Sequence, residues 1–174
     1  MILILEGADL VGKTTLAKEL SQRLCIPQTG IWIDLDNPKP SIISVSKTLK
    51  LLVQNSKPDI IFDRFFISEW VYSKLNNREG DYLKDLIDEW AQVDDLFIFI
   101  LFAKNDILIN RYEIRGDERF SINEILNANE LYQNLYYYIN NQFKCFLIDI
   151  SEMTTQQISE HIKNVLNNIG GFMS

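Results

Sequence analysis

Five stretches of this chain are mostly apolar: residues 1–5, 31–35, 59–63, 96–102 and 143–150. Short apolar runs closed by turn residues predict strands buried on both faces. Between them the apolar positions recur at helical spacing. Leu16, Ala17 and Leu20 share a face, with no breaker before Pro27, and residues 27–30 break the pattern. Val45, Leu49, Leu52 and Val53 mark a helix over 41–54, with Ser41 or Ser44 as its cap and the turn-rich 36–40 before it. Further helices are predicted from 64 to about 73 and over 82–93, 104–114, 122–141 and 154–169. Strands that alternate with helices predict an α/β protein: a five-stranded parallel sheet in three layers, with helices on both faces. No repeat or linker divides the chain, so residues 1–174 read as one domain. Ligands of such sheets bind beyond the C-terminal strand ends. Those ends carry Glu6 and the glycines after it, Asp34 to Asp36, Asp63-Arg64, Ala103-Lys104 and Asp149 to Ser151.

The first strand runs straight into Gly7-Ala8-Asp9-Leu10-Val11-Gly12-Lys13-Thr14. This matches the phosphate-binding pattern G-x-x-x-x-G-K-[ST] at every position, in its strand–loop–helix context. Glycines permit backbone angles that turn successive N–H groups inward around phosphate oxygens, with a helix N-terminus behind them. Gly7, Asp9, Leu10, Val11, Gly12, Lys13, Thr14 and Thr15 are therefore the expected ATP-binding loop of a P-loop NTPase fold. Lys13 reaches the β- and γ-phosphates, and the Thr14 hydroxyl helps hold Mg²⁺. Asp63-Arg64, at the end of the third strand, faces that loop. Asp63 is placed to serve as the second Mg²⁺ oxygen, and Arg64 offers a planar fork for a second phosphate.

Charge changes the picture in one respect. A formal net charge of −7 leaves no broad basic face for nucleic acid, although a nucleotide site needs only local positive charge. Cys25 and Cys145 have neither metal nor redox spacing. The apolar start is too short to span a membrane, and the chain reads as cytoplasmic without a signal peptide. His161, on the last helix, reads as a surface residue. Tyr136-Tyr137-Tyr138 point in successive helix directions and form no single platform.

Leu5-Glu6-Gly7-Ala8-Asp9 with Gly12-Lys13-Thr14-Thr15 resembles the opening of thymidylate kinases. Asp63-Arg64-Phe65, then Ser68 and Tyr72, resembles that family's D-R-[YF]-x-x-S-x-x-A-Y segment. Ile148-Asp149-Ile150-Ser151 resembles its I-D-A-S near the C-terminus. Residues 111–119 sit where the family carries an arginine-bearing lid (here about 111–120), and the helix with Leu131-Tyr132 sits in the matching place. The resemblance implies a deoxynucleoside monophosphate kinase with ATP as donor and Mg²⁺ as cofactor. It implies that Lys13, Thr14, Arg111 and Ser151 serve ATP, and that Arg64 holds the acceptor monophosphate. Asp9 would bond the acceptor 3′-hydroxyl, and Tyr72 would pack where a 2′-hydroxyl would project. Arg115, Arg119 or Arg111 would close over the transferring phosphoryl. Asp34, Phe65, Ser68 and Glu69 complete the expected acceptor side.

The chain departs from that family in spacing. Only 51 positions separate Gly12 from Asp63, and the missing part is where thymidylate kinases carry their base-stacking phenylalanine. Trp32, Phe65, Phe66 and Trp70 are the substitutes available. Glu69 replaces a neutral polar residue near the base, and a carboxylate accepts from base amino groups. In size and layout the chain resembles small deoxynucleotide kinases of bacteriophages. The expected reaction is transfer of the ATP γ-phosphoryl to a dTMP-, dUMP- or related dNMP-like acceptor. A kinase of a nucleoside or other small metabolite, and a slowly hydrolysing nucleotide-binding switch, are the alternatives. The first of these would need Asp34 or Asp63 as base; the second would have no use for an acceptor clamp. Expected partners are nucleotides, not nucleic acid or membrane, and a homodimer is compatible with the layout.

Overall fold

The computed structural model describes residues 1–30, 38–78 and 81–170. The chain runs β1 (Ile2–Gly7), α1 (Lys13–Leu24), β2 (Gln28–Gly30), α2 (Pro38–Ser56), β3 (Ile60–Asp63), α3 (Phe66–Leu75), α4 (Asp81–Trp90), β4 (Leu96–Phe102), α5 (Asn105–Arg115), α6 (Ile122–Ile139), β5 (Lys144–Asp149) and α7 (Thr155–Asn168). The five strands pair in parallel in the order β2-β3-β1-β4-β5. All six residues of β1 are buried, as are all but the last of β4, which is why these two strands read as unbroken apolar runs. Helices α1 and α7 pack together on one face of the sheet, and α3 and α6 on the other, with α2 and α4 beside α3.

Two elements differ from the sequence expectation. The second strand pairs with β3 through Gln28–Gly30, in the stretch expected to be only a break. This edge strand is largely exposed and carries no apolar signature. The run 31–35, expected to be that strand, lies outside the described residues, as do Trp32 and Asp34. Helix α2 begins at Pro38, three residues before the expected start, because the first helical turn tolerates a proline that lacks its N–H. Ser44 is therefore inside the helix and does not cap it.

Under the α3 face of the sheet, Trp90 is fully buried between Phe65 and Phe66, with ring centroids 4.9 and 6.1 Å away. Its indole N–H is satisfied by Ser46 Oγ at 2.6 Å, as a buried indole requires. Helices α6 and α7 each start with a reciprocal capping box, Ser121 with Glu124 and Thr154 with Gln157. Each cap stabilises its helix by about 1 kcal/mol. Register brings Leu5 opposite Asp63, and Phe102 opposite Asp149. The polar C-terminal ends of β1, β3, β4 and β5 thus share one edge of the sheet. No described helix is long and apolar enough to cross a membrane.

Candidate functional site

The loop between β1 and α1 opens at Gly7, whose φ is +144°. A β-carbon there would stand 2.4 Å from the carbonyl oxygen of Leu101 on β4, so only glycine lets the loop leave the sheet at this point. Gly12, at φ +91°, caps α1. Val11 is buried, while Thr14 and Thr15 face outward at the helix N-terminus. Leu10 adopts φ +68°, and its carbonyl accepts a hydrogen bond from Arg111 Nη1 at 2.9 Å. Arg111 thereby ties α5 to the loop.

Lys13 lies beneath the loop, 5 % exposed, and donates to the carbonyl of Ala8 at 2.5 Å. Burial, then the nearby Arg64 charge, push its ammonium down to about 7, against the pull of Asp9, Asp63 and Glu6. A phosphate placed beside it would reverse that balance, because an opposite charge favours the protonated amine. Thr14 Oγ1 donates to Asp63 Oδ2 at 2.5 Å. These two hard oxygens beside the loop suit a divalent cation that takes its remaining ligands from phosphates and water. Among the described residues no cluster of three or more His, Cys, Asp or Glu side chains could hold a metal by itself.

The next wall is built around Arg64. Its φ is +72°, a conformation that costs a residue with a β-carbon about 1–3 kcal/mol. Its amide is pinned to the Leu5 carbonyl at 3.0 Å, and its guanidinium is bonded on both sides. Nη2 meets Asp9 Oδ1 at 2.6 Å, and Nη1 meets the Tyr72 hydroxyl at 3.0 Å and the Tyr132 hydroxyl at 3.5 Å. Tyr72 donates to the other Asp9 oxygen at 2.6 Å. Burial pushes the Asp9 carboxyl up, but Arg64 and Lys13 outweigh it and hold the group below its ordinary range. Asp9, Arg64 and Tyr72 therefore form one charge-assisted cluster adjoining the loop. Ser68 lies behind it and donates to Glu6 at 2.6 Å.

Two expected acceptor residues are placed elsewhere. The Phe65 ring is 1 % exposed and stacks on Phe62 at 5.3 Å, inside the core; Phe66 joins it there. Glu69 is 3 % exposed and accepts from Ser73 at 2.7 Å and Tyr82 at 2.8 Å, with Arg78 alongside. It anchors α3 to α4 and is closed off from a base. Trp70 is half-buried with Lys74 Nζ over its ring. An aromatic residue that sequence reasoning passed over stands at the cluster instead: Phe120 stacks on Tyr72, with centroids 5.1 Å apart and planes at 27°. Its signal was its place just before the Ser121 cap, where an apolar residue commonly fixes the chain's entry into a helix.

Arg115 and Arg119 are exposed, and among the described residues neither guanidinium has a hydrogen-bond partner. Between them Gly116 ends α5 at φ +69°, and Asp117 accepts from the amides of Arg119 and Phe120. Ser151 bonds Asp149 through both its amide and its hydroxyl, and receives the amide of Lys104 at 2.8 Å. It locks the ends of β4 and β5 together. His161 is exposed; of the free cysteines Cys25 is exposed and Cys145 buried.

This architecture is the P-loop nucleotide-kinase fold, shared with solved nucleoside and nucleotide kinases. No protein-family model matches the chain. The SPbeta prophage-derived uncharacterized protein YorR of Bacillus subtilis strain 168 is 29 % identical over 147 residues, 77 % of this chain and 81 % of YorR. The crystal structure of B. subtilis YorR in complex with phosphorylated GDP superposes with a TM-score of 0.76, at 22 % identity over all of both chains. Deoxyadenosine kinase of M. mycoides with the products dCMP and a flexible dCDP bound gives 0.70, at 22 % identity over 97 % of this chain and all of that one. Thymidylate kinase of Candida albicans gives 0.66, at 17 % identity over 97 % and 92 % of the two chains.

Proposed function

We propose that the protein is a cytoplasmic ATP-dependent deoxynucleoside monophosphate kinase of thymidylate kinase-like design. The observation that carries this reading is the sharing of Asp9. One carboxylate belongs to the phosphate loop by sequence and to the Arg64–Tyr72 cluster by its bonds at 2.6 Å. A donor site and a clamp for a second phosphate are therefore contiguous. A nucleotide switch would have no need of such a clamp.

In the proposed reaction an oxygen of the acceptor phosphate attacks the γ-phosphorus of ATP, and the β–γ bridging oxygen leaves with ADP. The loop amides and Lys13 hold the donor, and Arg64 holds the acceptor phosphate. Asp9 takes the 3′-hydroxyl, and Tyr72 closes the space a 2′-hydroxyl would need. Thr14 and Asp63 would hold Mg²⁺, which neutralises charge on the β- and γ-oxygens. Catalysis is mainly alignment and charge stabilisation, and Arg115 and Arg119 supply the latter on closure. The acceptor phosphate is already a nucleophile, so no general base is required. The M. mycoides deoxyadenosine kinase holds dCMP and a flexible dCDP as products, which supports deoxynucleotide binding in this fold and, since a product monophosphate comes from a nucleoside, favours a nucleoside acceptor as the second reading.

A nucleoside kinase would need a free carboxylate to take a hydroxyl proton. Of the two candidates, Asp63 is bonded to Thr14, and Asp34 lies outside the described residues. The test is to incubate the protein with ATP-Mg²⁺ and a panel of nucleoside monophosphates and nucleosides, and to follow ADP. The expected result is ADP release that depends on a deoxynucleoside monophosphate. Release with nucleosides alone selects the second reading, and none with any acceptor defeats both.

A further inference from the structure

Glu6 is the last side chain of β1 before the glycine loop, and it is completely buried. Its two oxygens collect three donors from two other elements. Oε1 accepts the Phe65 amide at 2.8 Å; Oε2 accepts the Ser68 hydroxyl at 2.6 Å and the Tyr132 hydroxyl at 3.3 Å. The Phe65 amide is the one that follows Arg64, and the Arg64 amide itself is held by the Leu5 carbonyl at 3.0 Å. Two consecutive residues of β1 therefore grip two consecutive amides of the turn that carries Arg64 in its left-handed conformation. Phe65 is also the N-cap of α3 and has no side-chain cap of its own. The Glu6 carboxylate, from another strand, accepts the amide of that N-cap residue. Through Tyr132, whose hydroxyl lies 2.8 Å from Ser68 and 3.5 Å from Arg64 Nη1, the same network reaches the guanidinium.

We propose that Glu6 is the positioning residue of the acceptor clamp, holding Arg64 in its left-handed turn through the Phe65 amide, Ser68 and Tyr132. The proposal rests on the reading of Arg64 as the acceptor-phosphate residue. A structural anchor needs no carboxylate here: a fully buried charged group is costly unless its bonds serve a defined geometry. Burial does push the Glu6 carboxyl up, to about 7, against the Ser68 and Phe65 hydrogen bonds and the Arg64 charge.

The test uses the full chain with Glu6→Gln and Tyr132→Phe. Glutamine keeps an acceptor for Phe65 but presents an N–H₂ to the hydroxyls, which must then reverse. The expected result is a fall of about tenfold or more in kcat/KM for the monophosphate acceptor. ATP affinity, measured by calorimetry, stays within a few-fold. Tyr132→Phe leaves the Phe65 amide bonded and gives a smaller loss of the same acceptor-specific kind. A crystal structure of Glu6→Gln should show Arg64 out of the left-handed region or its Asp9 pair broken. Wild-type acceptor kinetics in Glu6→Gln, or equal losses for ATP and acceptor, would overturn the proposal. If Glu6→Gln does not fold, Ser68→Ala removes one bond of the same carboxylate. Unchanged acceptor KM and kcat in Ser68→Ala and Tyr132→Phe is then the overturning result. A wild type that transfers to no monophosphate defeats the functional reading alone. In that case an unmoved Arg64 in the Glu6→Gln structure decides against the positioning role.

Discussion

Two sets of arginines, Arg64 on one side and Arg115 with Arg119 on the other, are held in opposite ways. Arg64 is bonded by Asp9, Tyr72 and Tyr132, and its backbone is pinned from β1. Arg115 and Arg119 stand exposed and unbonded among the described residues, on either side of a glycine hinge. The Arg64 cluster is thus assembled in the nucleotide-free chain, whereas Arg115 and Arg119 carry charge without fixed partners. A preorganised group contributes to both binding and reaction, since its ordering is complete before the encounter. A group that finds partners only on closure acts on the transition state. Arg111 falls between the two, being fastened to the loop at Leu10 while belonging to α5, the helix that also carries Arg115.

The largest effect should come from the loop on which both sets converge. Lys13→Ala should lower kcat by on the order of a hundred- to a thousandfold, the usual loss for one aimed donor. The fold should survive, because the ammonium bonds only the Ala8 carbonyl. Steady-state ADP release and a thermal melt check both halves. A variant with more than roughly a tenth of wild-type turnover would remove the common centre from the comparison.

Next come the two members of the preformed wall, which should fail differently. Asp9→Ala removes a charged hydrogen-bond partner and should weaken acceptor use about ten- to hundredfold. A 2′,3′-dideoxy acceptor should be poor for the wild type, and Asp9→Ala should erase most of that discrimination. Arg64→Ala should slow both acceptors and preserve their ratio. Both variants should leave ATP affinity within a few-fold. Equal use of deoxy and dideoxy acceptors by the wild type would mean that Asp9 serves only to hold Arg64.

The lid should respond in the other kinetic constant. Arg115→Ala and Arg119→Ala should each lower kcat by about tenfold, with KM for ATP little changed, because the lost interaction forms only on closure. Wild-type kinetics in both variants and in the double would leave residues 111–119 a solvated face, the ordinary fate of exposed charge.

How much of this was legible in the sequence depends on whether the signal was local. The loop could be read because β1, the glycines and α1 are contiguous and each obeys a short-range rule. Asp63 and Arg64 could be read because a charged pair ending an apolar strand is conspicuous. Gln28–Gly30 could not, because an exposed edge strand of three residues has no apolar period and is defined only by its partner β3. Phe65 and Glu69, expected on the acceptor side, are buried in the structure for a related reason. Which face of α3 meets the cleft is decided by its packing on α4 and α6, and that packing turns both inward. Tyr132 and Phe120 reach Arg64 and Tyr72 across 68 and 48 positions of chain, and no local pattern announces such contacts. Arg115 and Arg119 were singled out by resemblance to a lid, and the structure leaves them exposed and without a hydrogen-bond partner among the described residues.

The smallest effect concerns the electrostatic strain of building one side in advance. Glu6 and Lys13 are both buried near the loop, and both are displaced to about 7, from opposite directions. For Glu6 the folded value lies above the unfolded 4.5. Its proton-linked stability is therefore full below about 4.5 and is lost as pH rises through 7. For Lys13 the folded value lies below the unfolded 10.5. Its contribution is full above about 10.5 and is lost as pH falls through 7. The two limbs meet, so the nucleotide-free protein should be least stable near neutrality, by at most about 3 kcal/mol for Glu6 and about 5 kcal/mol for Lys13 at 1.36 kcal/mol per pH unit. Because the charges attract each other, the minimum belongs to the pair. Asp9, held low, weakens the fold only at much more acidic pH. Thermal melting from pH 5 to 9 should show the minimum in the wild type. Glu6→Gln should flatten the acid limb and Lys13→Met the alkaline one, while Arg115→Ala and Arg119→Ala leave the curve unchanged. ADP should raise the melting temperature most near pH 7, where its phosphates restore the lysine's charge. A wild-type curve that is flat over this range would show that the preformed side carries no such strain, and the contrast with the lid would then be one of geometry alone.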